Sequence, residues 1–320
     1  MNYKPIIVVA GEPNSIFFEI FLKSIKTNIK SPIILIASYN LFKLQMIKLG
    51  IRKKINIINI DKINNYKLNN KEVNLIDVKF NQTKAFKKIS SRSNTYINNS
   101  FNLAFDLINK GYSNKLINGP ISKKTFLKSK HLGVTEFISK KYNIKRNAML
   151  IYNKKLSVCP LTTHLPIKHI VKNISKSLIK EKVKMINNFF KSRIGISPKI
   201  ALLGLNPHCE SISDFNEDDK IIKPAIRSLK KLKIDITGPL SADTCFLKKN
   251  RDKFDIIVGM YHDQVLTPIK TLFEYDAVNI TIGLPFLRIS PDHGPNEKMM
   301  GKNTSNPLSL IRAFQFMDKN

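Results

Sequence analysis

Short apolar runs alternate with amphipathic stretches along most of this chain of 320 residues. An apolar run bounded by turn residues predicts a buried strand, and apolar residues three and four positions apart predict a helix. Strands are predicted at 33–37, 115–118, 199–204, 255–260 and 277–282, and helices at 93–110, 178–190 and about 219–232. The alternation predicts an α/β/α architecture with a largely parallel sheet. Residues 61–82 are polar and Asn-rich, which predicts an irregular surface excursion.

Composition changes this picture little. The formal net charge of +31 invites a nucleic-acid interpretation, but the lysines are spread over the whole chain beside abundant Asn and Ile. An AT-rich genome favours those three residues, so we regard a nucleic-acid partner as the weaker alternative. No apolar run is long enough to predict a membrane span. The three widely spaced cysteines argue against a disulfide framework and favour a reducing cytoplasm.

Three of the six histidines follow apolar runs and stand before turns: His164, His208 and His262. Ligands of open α/β sheets bind at the carboxyl ends of the strands. Three imidazoles at one such edge predict a metal site with an open position for substrate. Each histidine alone could equally cap a strand end, but the set of three favours the metal. Asp243 and Asp263 are candidates to orient a ligand imidazole. His131, in a Lys-rich loop, is given no role.

A second group of side chains suits an anion. Lys, Arg, Asn and Thr hold phosphate through charge-assisted hydrogen bonds. The candidates are Thr135, Lys270, Asn279 and Arg288. Arg288 is the most informative of these, because arginine is scarcer than lysine in this chain.

A third segment, residues 290–294, has the sequence Ser-Pro-Asp-His-Gly. A loop of this composition can cradle a dinucleotide, but the signal is weak by itself. No Gly-x-Gly-x-x-Gly follows a predicted strand, so the Rossmann fingerprint is absent.

Several segments resemble, in order, the motifs of the 4-hydroxythreonine-4-phosphate dehydrogenase family of the pyridoxal phosphate pathway. They lie at 118–123, 133–137, 162–166, 204–208, 238–244, 261–270, 278–286 and 290–294. The resemblance implies a two-domain, isocitrate/isopropylmalate-dehydrogenase-like fold, which binds NAD without the glycine fingerprint. We place one domain at 1–125 with 298–320 and the other at 126–297, with the ligands in the cleft between them.

The resemblance also implies roles for the candidate residues. His164, His208 and His262 match the ligands of a divalent metal, and His262 is expected to reach the site across a homodimer interface. Residues matching the phosphorylated-substrate site are Thr135, Lys270, Asn279 and Arg288, and those matching the NAD site are Asp292, His293, Gly294 and Asn306. The chain departs from the family at Val134, where a histidine is usual.

The implied reaction is the NAD-dependent oxidative decarboxylation of 4-phosphooxy-L-threonine to 3-amino-2-oxopropyl phosphate and CO₂. The metal would act as a Lewis acid on the substrate hydroxyl, and three imidazoles favour Zn²⁺, with Co²⁺ or Mg²⁺ as alternatives. Asp243, Asp263 and a metal-bound water are the candidate general bases. A dehydrogenase of another phosphorylated hydroxy acid, such as 4-phosphothreonate, is the alternative within the family.

Overall fold

The computed structural model describes residues 3–127, 133–211 and 215–320, so His131 lies outside the described residues. Two compact units are formed: a first unit of Met1–Asn143 with Leu284–Asn320, and a second unit of Ile144–Gly283. These boundaries differ from those predicted at 125 and 297, for two physical reasons. The helix Val134–Lys141 packs against the core of the first unit through Ile138. The strand Leu287–Pro291 pairs with Lys115–Asn118 in that same unit.

The strands and helices of the described residues alternate along the chain. The strands are β1 Ile6–Val9, β2 Ile33–Ala37, β3 Ile55–Ile57, β4 Val73–Asp77, β5 Lys115–Asn118, β6 Ala148–Tyr152, β7 Ser157–Thr162, β8 Ile200–Leu203, β9 Ile236–Leu240, β10 Ile256–Tyr261, β11 Val278–Ile282 and β12 Leu287–Pro291. The helices are α1 Phe17–Ser24, α2 Tyr39–Lys48, α3 Asn94–Asn109, α4 Val134–Lys141, α5 Ile170–Asn173, α6 Lys176–Phe189, α7 Lys223–Lys230, α8 Ala242–Cys245, α9 Lys248–Arg251, α10 His262–Phe273 and α11 Leu308–Lys319.

Strands of the first unit follow the order β3-β4-β2-β1-β5-β12, and each neighbouring pair is parallel. The four residues of β1 are fully buried, as expected for a central parallel strand covered on both faces. Helix α3 contributes Ile97, Phe101, Ala104 and Phe105 to the core cluster of this unit. Their spacing is the helical one that the sequence shows.

Strands of the second unit follow the order β11-β6-β7-β10-β8-β9. The pairs among β7, β10, β8 and β9 are parallel, whereas β6 is antiparallel to both β11 and β7. The prediction of a largely parallel α/β sheet is therefore confirmed. Because β7, β10 and β8 are parallel neighbours, their carboxyl ends lie at the same edge of the sheet.

The strands at 33–37 and 115–118 have the predicted bounds, and α3 lies within the predicted 93–110. The prediction of an irregular segment at 61–82 is wrong, because β4 lies inside it and pairs with β2 and β3. The polar residue Asn74, within β4, is the reason that the sequence pattern did not predict this strand. Its side-chain amide donates to the carbonyls of Ile33 and Asn69 at 3.0 and 2.7 Å, so a polar residue is buried at little cost.

Within the described part of the chain, every helix is too short or too polar to cross a bilayer. Cys159, Cys209 and Cys245 are free thiols.

A buried carboxyl group lies in the turn after β1. Glu12 is 1% exposed, and its two oxygens accept hydrogen bonds from the Asn14 backbone N–H at 3.2 Å and the Ser93 hydroxyl at 2.9 Å. Burial raises the pKa of Glu12 from 4.5 to about 7, and the nearby Glu297 adds to the rise. The hydrogen bonds only partly oppose that rise.

This pKa predicts how stability changes with pH. Below pH 4.5 the protonated Glu12 contributes fully to the free energy of unfolding. This contribution is lost as the pH rises from 4.5 through about 7, because the folded protein must then bury a charge. In the wild type the free energy of unfolding should fall by about 3 kcal/mol over this range. Glu12→Gln, which keeps the shape of the side chain and stays neutral, should abolish that fall. Urea unfolding of both proteins from pH 4 to pH 8 measures it; parallel pH profiles for the two would contradict the assignment.

Candidate active site

The three predicted metal-binding histidines follow the carboxyl ends of three adjacent parallel strands. His164 comes after β7, His262 after β10 and His208 after β8, and Tyr261 is paired in register with Thr162. The Thr162 hydroxyl donates to the Met260 carbonyl at 2.8 Å, which ties the first two strand ends together. The sheet edge that the sequence predicted is the edge at which these residues lie.

His164 and His262 are close to each other in one chain. Their ring centroids are 5.7 Å apart and the rings are tilted by 38°. The His262 Nδ1–H donates to the Asp263 carboxylate at 2.7 Å, and this leaves Nε2 as the nitrogen that carries the lone pair. A carboxylate in this position fixes the tautomer and orientation of a metal-binding imidazole. The predicted orienting role of Asp263 therefore has a geometric basis.

His208 is exposed and lies in the short turn Pro207–Cys209, with a positive φ of 55°. His164 has the same φ of 55°. Non-glycine residues rarely adopt this left-handed conformation, and those that do concentrate at functional sites. Over the described ranges, no group of three or more His, Cys, Asp or Glu side chains is placed to hold a metal. The structure thus brings two of the three histidines together, and the complete ligand set stays a prediction.

Asp218 holds the turn that carries His208. Its side chain is fully buried and accepts three hydrogen bonds: from Leu205 N–H at 2.9 Å, from Asn206 N–H at 3.1 Å and from the Asn206 side-chain amide at 3.0 Å. Sequence reasoning missed this residue. The available signal was the acidic stretch at 217–219 in a chain otherwise rich in lysine.

Gln264 connects two strand ends. Its Nε2 donates to the Gly204 carbonyl, just after β8, at 2.8 Å, and its Oε1 accepts from Met260 N–H, near the end of β10, at 2.7 Å. Sequence reasoning quoted this residue only as part of the 261–270 motif. Asp243 makes a local contact instead, accepting a hydrogen bond from the Thr244 N–H at 2.9 Å, and its side chain is exposed.

Two of the predicted anion-binding residues meet in the first unit. Arg288, on β12, is 1% exposed; its Nε donates to Asn118 Oδ1 at 2.8 Å and its Nη1 to Thr135 Oγ1 at 3.1 Å. Burial lowers the pKa of Arg288 to about 10, and the carboxylate of Glu136 opposes that change. The guanidinium therefore keeps its charge at neutral pH. Asn118 was part of a quoted motif but received no role from the sequence.

The other two predicted anion-binding residues lie in the second unit. Lys270 is in the last turn of α10, and burial lowers its pKa. Asn279 is on β11, paired with Ile151 of β6. Its Oδ1 is buried and has no hydrogen-bond partner among the residues that the structure describes. An unsatisfied buried amide oxygen costs about 1–3 kcal/mol, so it marks a place where a ligand donor would be stabilising.

The predicted NAD-binding residues lie in the first unit, between β12 and the start of α11. Asp292 N–H donates to the Ser309 hydroxyl at 2.9 Å, His293 Nδ1 lies 3.0 Å from the Gly294 carbonyl, and Asn306 Oδ1 accepts from Leu308 N–H at 2.9 Å. The last contact is an Asx turn, which satisfies the N–H of the first residue of α11.

Helix α1 anchors this segment through an ion pair between a buried carboxylate and a partly exposed lysine, which the sequence did not suggest. Glu19 is 1% exposed and accepts from Lys23 Nζ at 2.8 Å and from Ser305 N–H at 2.6 Å. Lys23 Nζ also donates to the carbonyls of Asn303 and Ser305, each at 3.0 Å. The residues next to Asn306 are therefore held by both members of the pair.

Val134, where the sequence resemblance leads us to expect histidine, begins α4. Its side chain is partly buried and packs against the hydrophobic core cluster of the first unit. The residue next to Thr135 is therefore apolar and in contact with the hydrophobic core of the first unit.

Comparison with known proteins identifies the family. The model of the pyridoxal phosphate biosynthetic protein PdxA matches residues 28–317. The 4-hydroxythreonine-4-phosphate dehydrogenase of Sulfurihydrogenibium sp. is 39% identical over 314 residues, covering 96% of this chain and 95% of that relative. The D-threonate 4-phosphate dehydrogenase of Pectobacterium atrosepticum is 31% identical over 249 residues, or 76% of each chain.

Solved structures agree with the predicted fold. A 4-hydroxythreonine-4-phosphate dehydrogenase from Klebsiella pneumoniae superposes with a TM-score of 0.84 at 25% identity, covering 99% of both chains. Isocitrate dehydrogenase from Methylococcus capsulatus has a TM-score of 0.51 at 11% identity, covering 98% of this chain and 84% of that one, and shows the fold alone. The isocitrate-dehydrogenase-like fold is confirmed, and the chain belongs to the PdxA family of pyridoxal phosphate biosynthetic proteins.

Proposed function

We propose that this protein is an NAD-dependent 4-hydroxythreonine-4-phosphate dehydrogenase. In the proposed reaction, the secondary hydroxyl of 4-phosphooxy-L-threonine is oxidised to a ketone, NAD is reduced, and the 3-keto acid loses CO₂ to give 3-amino-2-oxopropyl phosphate. The observation that carries the proposal is the placement of His164, His208 and His262 after three adjacent strand ends, with Asp263 on His262. The names of the relatives support the same activity.

The donor set fits a divalent metal. The hydrogen bond from His262 Nδ1 to the Asp263 carboxylate would leave Nε2 as the nitrogen that binds a metal, and His164 would supply a second imidazole. His208 would supply the third ligand. Imidazole ligands favour Zn²⁺ or Co²⁺ over Mg²⁺. When bound, the cation would supply Lewis-acid polarisation of the substrate oxygen.

The chain's own residues would bind and orient the substrate. Arg288 keeps its positive charge and donates to the Thr135 hydroxyl, so it would place that hydroxyl against the phosphate. Lys270 would add a second cation, and its lowered pKa follows from burial. The buried Asn279 Oδ1 would accept a hydrogen bond from a substrate donor.

We propose the segment from Asp292 to Asn306 as the NAD-binding loop. Glu19 and Lys23 hold its end at Ser305, and the Asn306 side chain accepts a hydrogen bond from the N–H of Leu308, at the start of α11. A loop held at fixed positions loses less conformational entropy when it binds a cofactor.

The activity is tested by following NAD reduction with 4-phosphooxy-L-threonine, with and without a chelator. His208→Ala should lower kcat/KM by at least about 100-fold, because removing a metal ligand forfeits several kcal/mol of charge stabilisation. His169→Ala is the matched control, since His169 is exposed and lies in the short helix Ile167–His169 instead of directly after a strand. Undiminished turnover of His208→Ala, or full activity without any divalent metal, would refute the proposed mechanism.

We further propose that the enzyme is a homodimer in which His262 acts in the partner's site. Mixing two inactive proteins, His164→Ala and His262→Ala, tests this. If His262 acts across the interface, each mixed dimer contains one site with both histidines intact, and activity should return. If all ligands come from one chain, every site carries a substitution. Absence of recovery, with mixed dimers verified by two affinity tags, would then contradict the shared site.

A second candidate is a 4-phosphothreonate dehydrogenase. The 31% identical relative from Pectobacterium atrosepticum carries that type of name, and Val134 replaces a family histidine beside Thr135. We expect 4-phosphooxy-L-threonine to be the better substrate by kcat/KM, and Val134→His to change the ratio between the two. A kcat/KM at least ten times higher for 4-phosphothreonate, or about 1.4 kcal/mol, would favour the second candidate instead.

A further inference from the structure

Residues 79–92, between β4 and α3, form a strongly basic segment that the proposed active site does not use. Five of these fourteen residues are Lys or Arg and none is Asp or Glu, whereas the whole chain has 54 Lys and Arg among 320 residues. Together with the start of α3, the segment lines a surface cavity of about 910 Å³. Small-molecule sites usually measure roughly 300–1,000 Å³, so the cavity is large enough for a nucleotide.

The positive charge of this cavity has no compensating carboxylate in its lining. Its cations are Lys79, Lys84, Lys87, Lys88 and Arg92, and none of the described residues that line it is Asp or Glu. Like charges around one space repel each other, so an anion with several charges would be stabilised there. Thr95, in the first turn of α3, also lines the cavity, where the helix dipole adds to the positive potential.

Two buried amides hold the backbone of the basic segment in place. Asn14 is 4% exposed, and its Oδ1 accepts hydrogen bonds from the Lys87 N–H at 2.8 Å and from Gln82 Nε2 at 3.0 Å. Gln45 is fully buried, and its Nε2 donates to the Ala85 carbonyl at 2.8 Å. The cations therefore extend from a fixed backbone, and a site formed in advance loses less conformational entropy when it binds a ligand.

Aromatic side chains lie beside these cations. Phe80 and Phe86 line the cavity and are partly exposed, and the Phe80 ring lies 5.2 Å from the ring of the buried Tyr96, between centroids. Nucleotide sites combine cations for the phosphates with aromatic rings on which a base stacks. The combination favours a nucleotide over inorganic phosphate.

The basic segment also contacts the loop from Asp292 to Asn306 that we propose for NAD. The Ile89 N–H donates to Glu297 Oε2 at 3.3 Å, and a Cβ on Gly301 would lie 3.1 Å from Cε2 of Phe86. The cavity and this loop are therefore neighbours within the first unit.

We infer that the basic cavity is a binding site for nucleotide phosphates, in which the lysines and Arg92 hold the phosphate groups and Phe80 and Phe86 lie against the base. Two nucleotides have this chemistry: the NAD cofactor, reaching the cavity from its neighbouring loop, and a free nucleoside triphosphate. For NAD the inference rests on the proposed function. For a free nucleotide it stands without it.

Calorimetric titration of the metal-free, full-length protein with ATP tests the inference. ATP should bind with a Kd below about 1 mM. Raising NaCl from about 0.05 M to about 0.5 M should weaken binding, because salt screens the contacts between phosphate and exposed lysines. Adenosine, which lacks the phosphates, should bind at least about 10-fold more weakly than ATP, since each lost charge-assisted hydrogen bond lowers affinity.

The triple variant Lys84→Gln/Lys87→Gln/Lys88→Gln locates the site. These lysines are exposed, and the segment is held through its backbone, so circular dichroism and the urea midpoint should match the wild type. Its Kd for ATP should rise at least about 10-fold. Lys176→Gln/Lys184→Gln/Lys191→Gln is the matched control, because it removes the same charge from exposed lysines of the second unit. The control should bind ATP like the wild type.

Competition with NAD identifies which nucleotide occupies the cavity. If the cofactor does, ATP displaces NAD and the triple variant binds both more weakly. If a free nucleotide does, ATP binds in the presence of saturating NAD and the triple variant keeps its affinity for NAD. Either result, with the lysine dependence, supports the inference.

Four results would overturn it: no ATP binding up to about 1 mM, equal ATP affinity in the triple variant and its control, equal affinity for adenosine and ATP, or a ten-nucleotide DNA strand that displaces ATP and binds more tightly. The last would make the surface a nucleic-acid site. Where the triple variant does not fold, Arg92→Gln replaces it and is judged by the same criteria. Absence of NAD reduction with 4-phosphooxy-L-threonine would refute the proposed function while leaving lysine-dependent ATP binding intact.

Discussion

Parallel pairing of β7, β10 and β8 is the constraint on which the candidate active site depends. Parallel neighbours end at the same edge, so three separate segments deliver their following residues to one place. No contact between the histidines themselves creates this arrangement. It is produced by backbone hydrogen bonds between strands whose side chains are buried.

Buried polar groups hold the neighbouring backbone and side chains in place around that edge and in the first unit. Burying a charged group is costly unless hydrogen bonds replace its water, and three buried charged groups of the chain each have at least two such bonds. Asp218 receives three N–H bonds, Glu19 receives a lysine and a backbone N–H, and Arg288 donates to Asn118 and Thr135. Each of these groups touches a segment that carries a proposed ligand-binding residue. Specific geometry, rather than added stability, is what such groups contribute.

The sequence predicted most of the fold because buried parallel strands and α3 carry clear periodicity. It failed at β4, where Asn74 occupies a buried position and hides the strand. The three histidines were identifiable because turn residues follow each of them. Asp218 and Gln264 were not identified, because their backbone partners at Leu205, Asn206 and Gly204 lie 13, 12 and 60 residues away and become neighbours only in the fold. Arg288 was identified by its chemistry, but its near-complete burial follows from tertiary packing alone.

The first unit is assembled from both ends of the chain, with the second unit inserted between them. Arg288 and its partner Asn118 are 170 residues apart in sequence, and β12 must join β5 after that whole interval. On the ribosome, residues 144–283 are complete before β12 emerges, so the second unit can fold first. Until β12 is made, the edge of β5 in the first unit stays unpaired, and unpaired sheet edges are prone to aggregate. During synthesis that edge of β5 therefore stays exposed until residues 287–291 have been made.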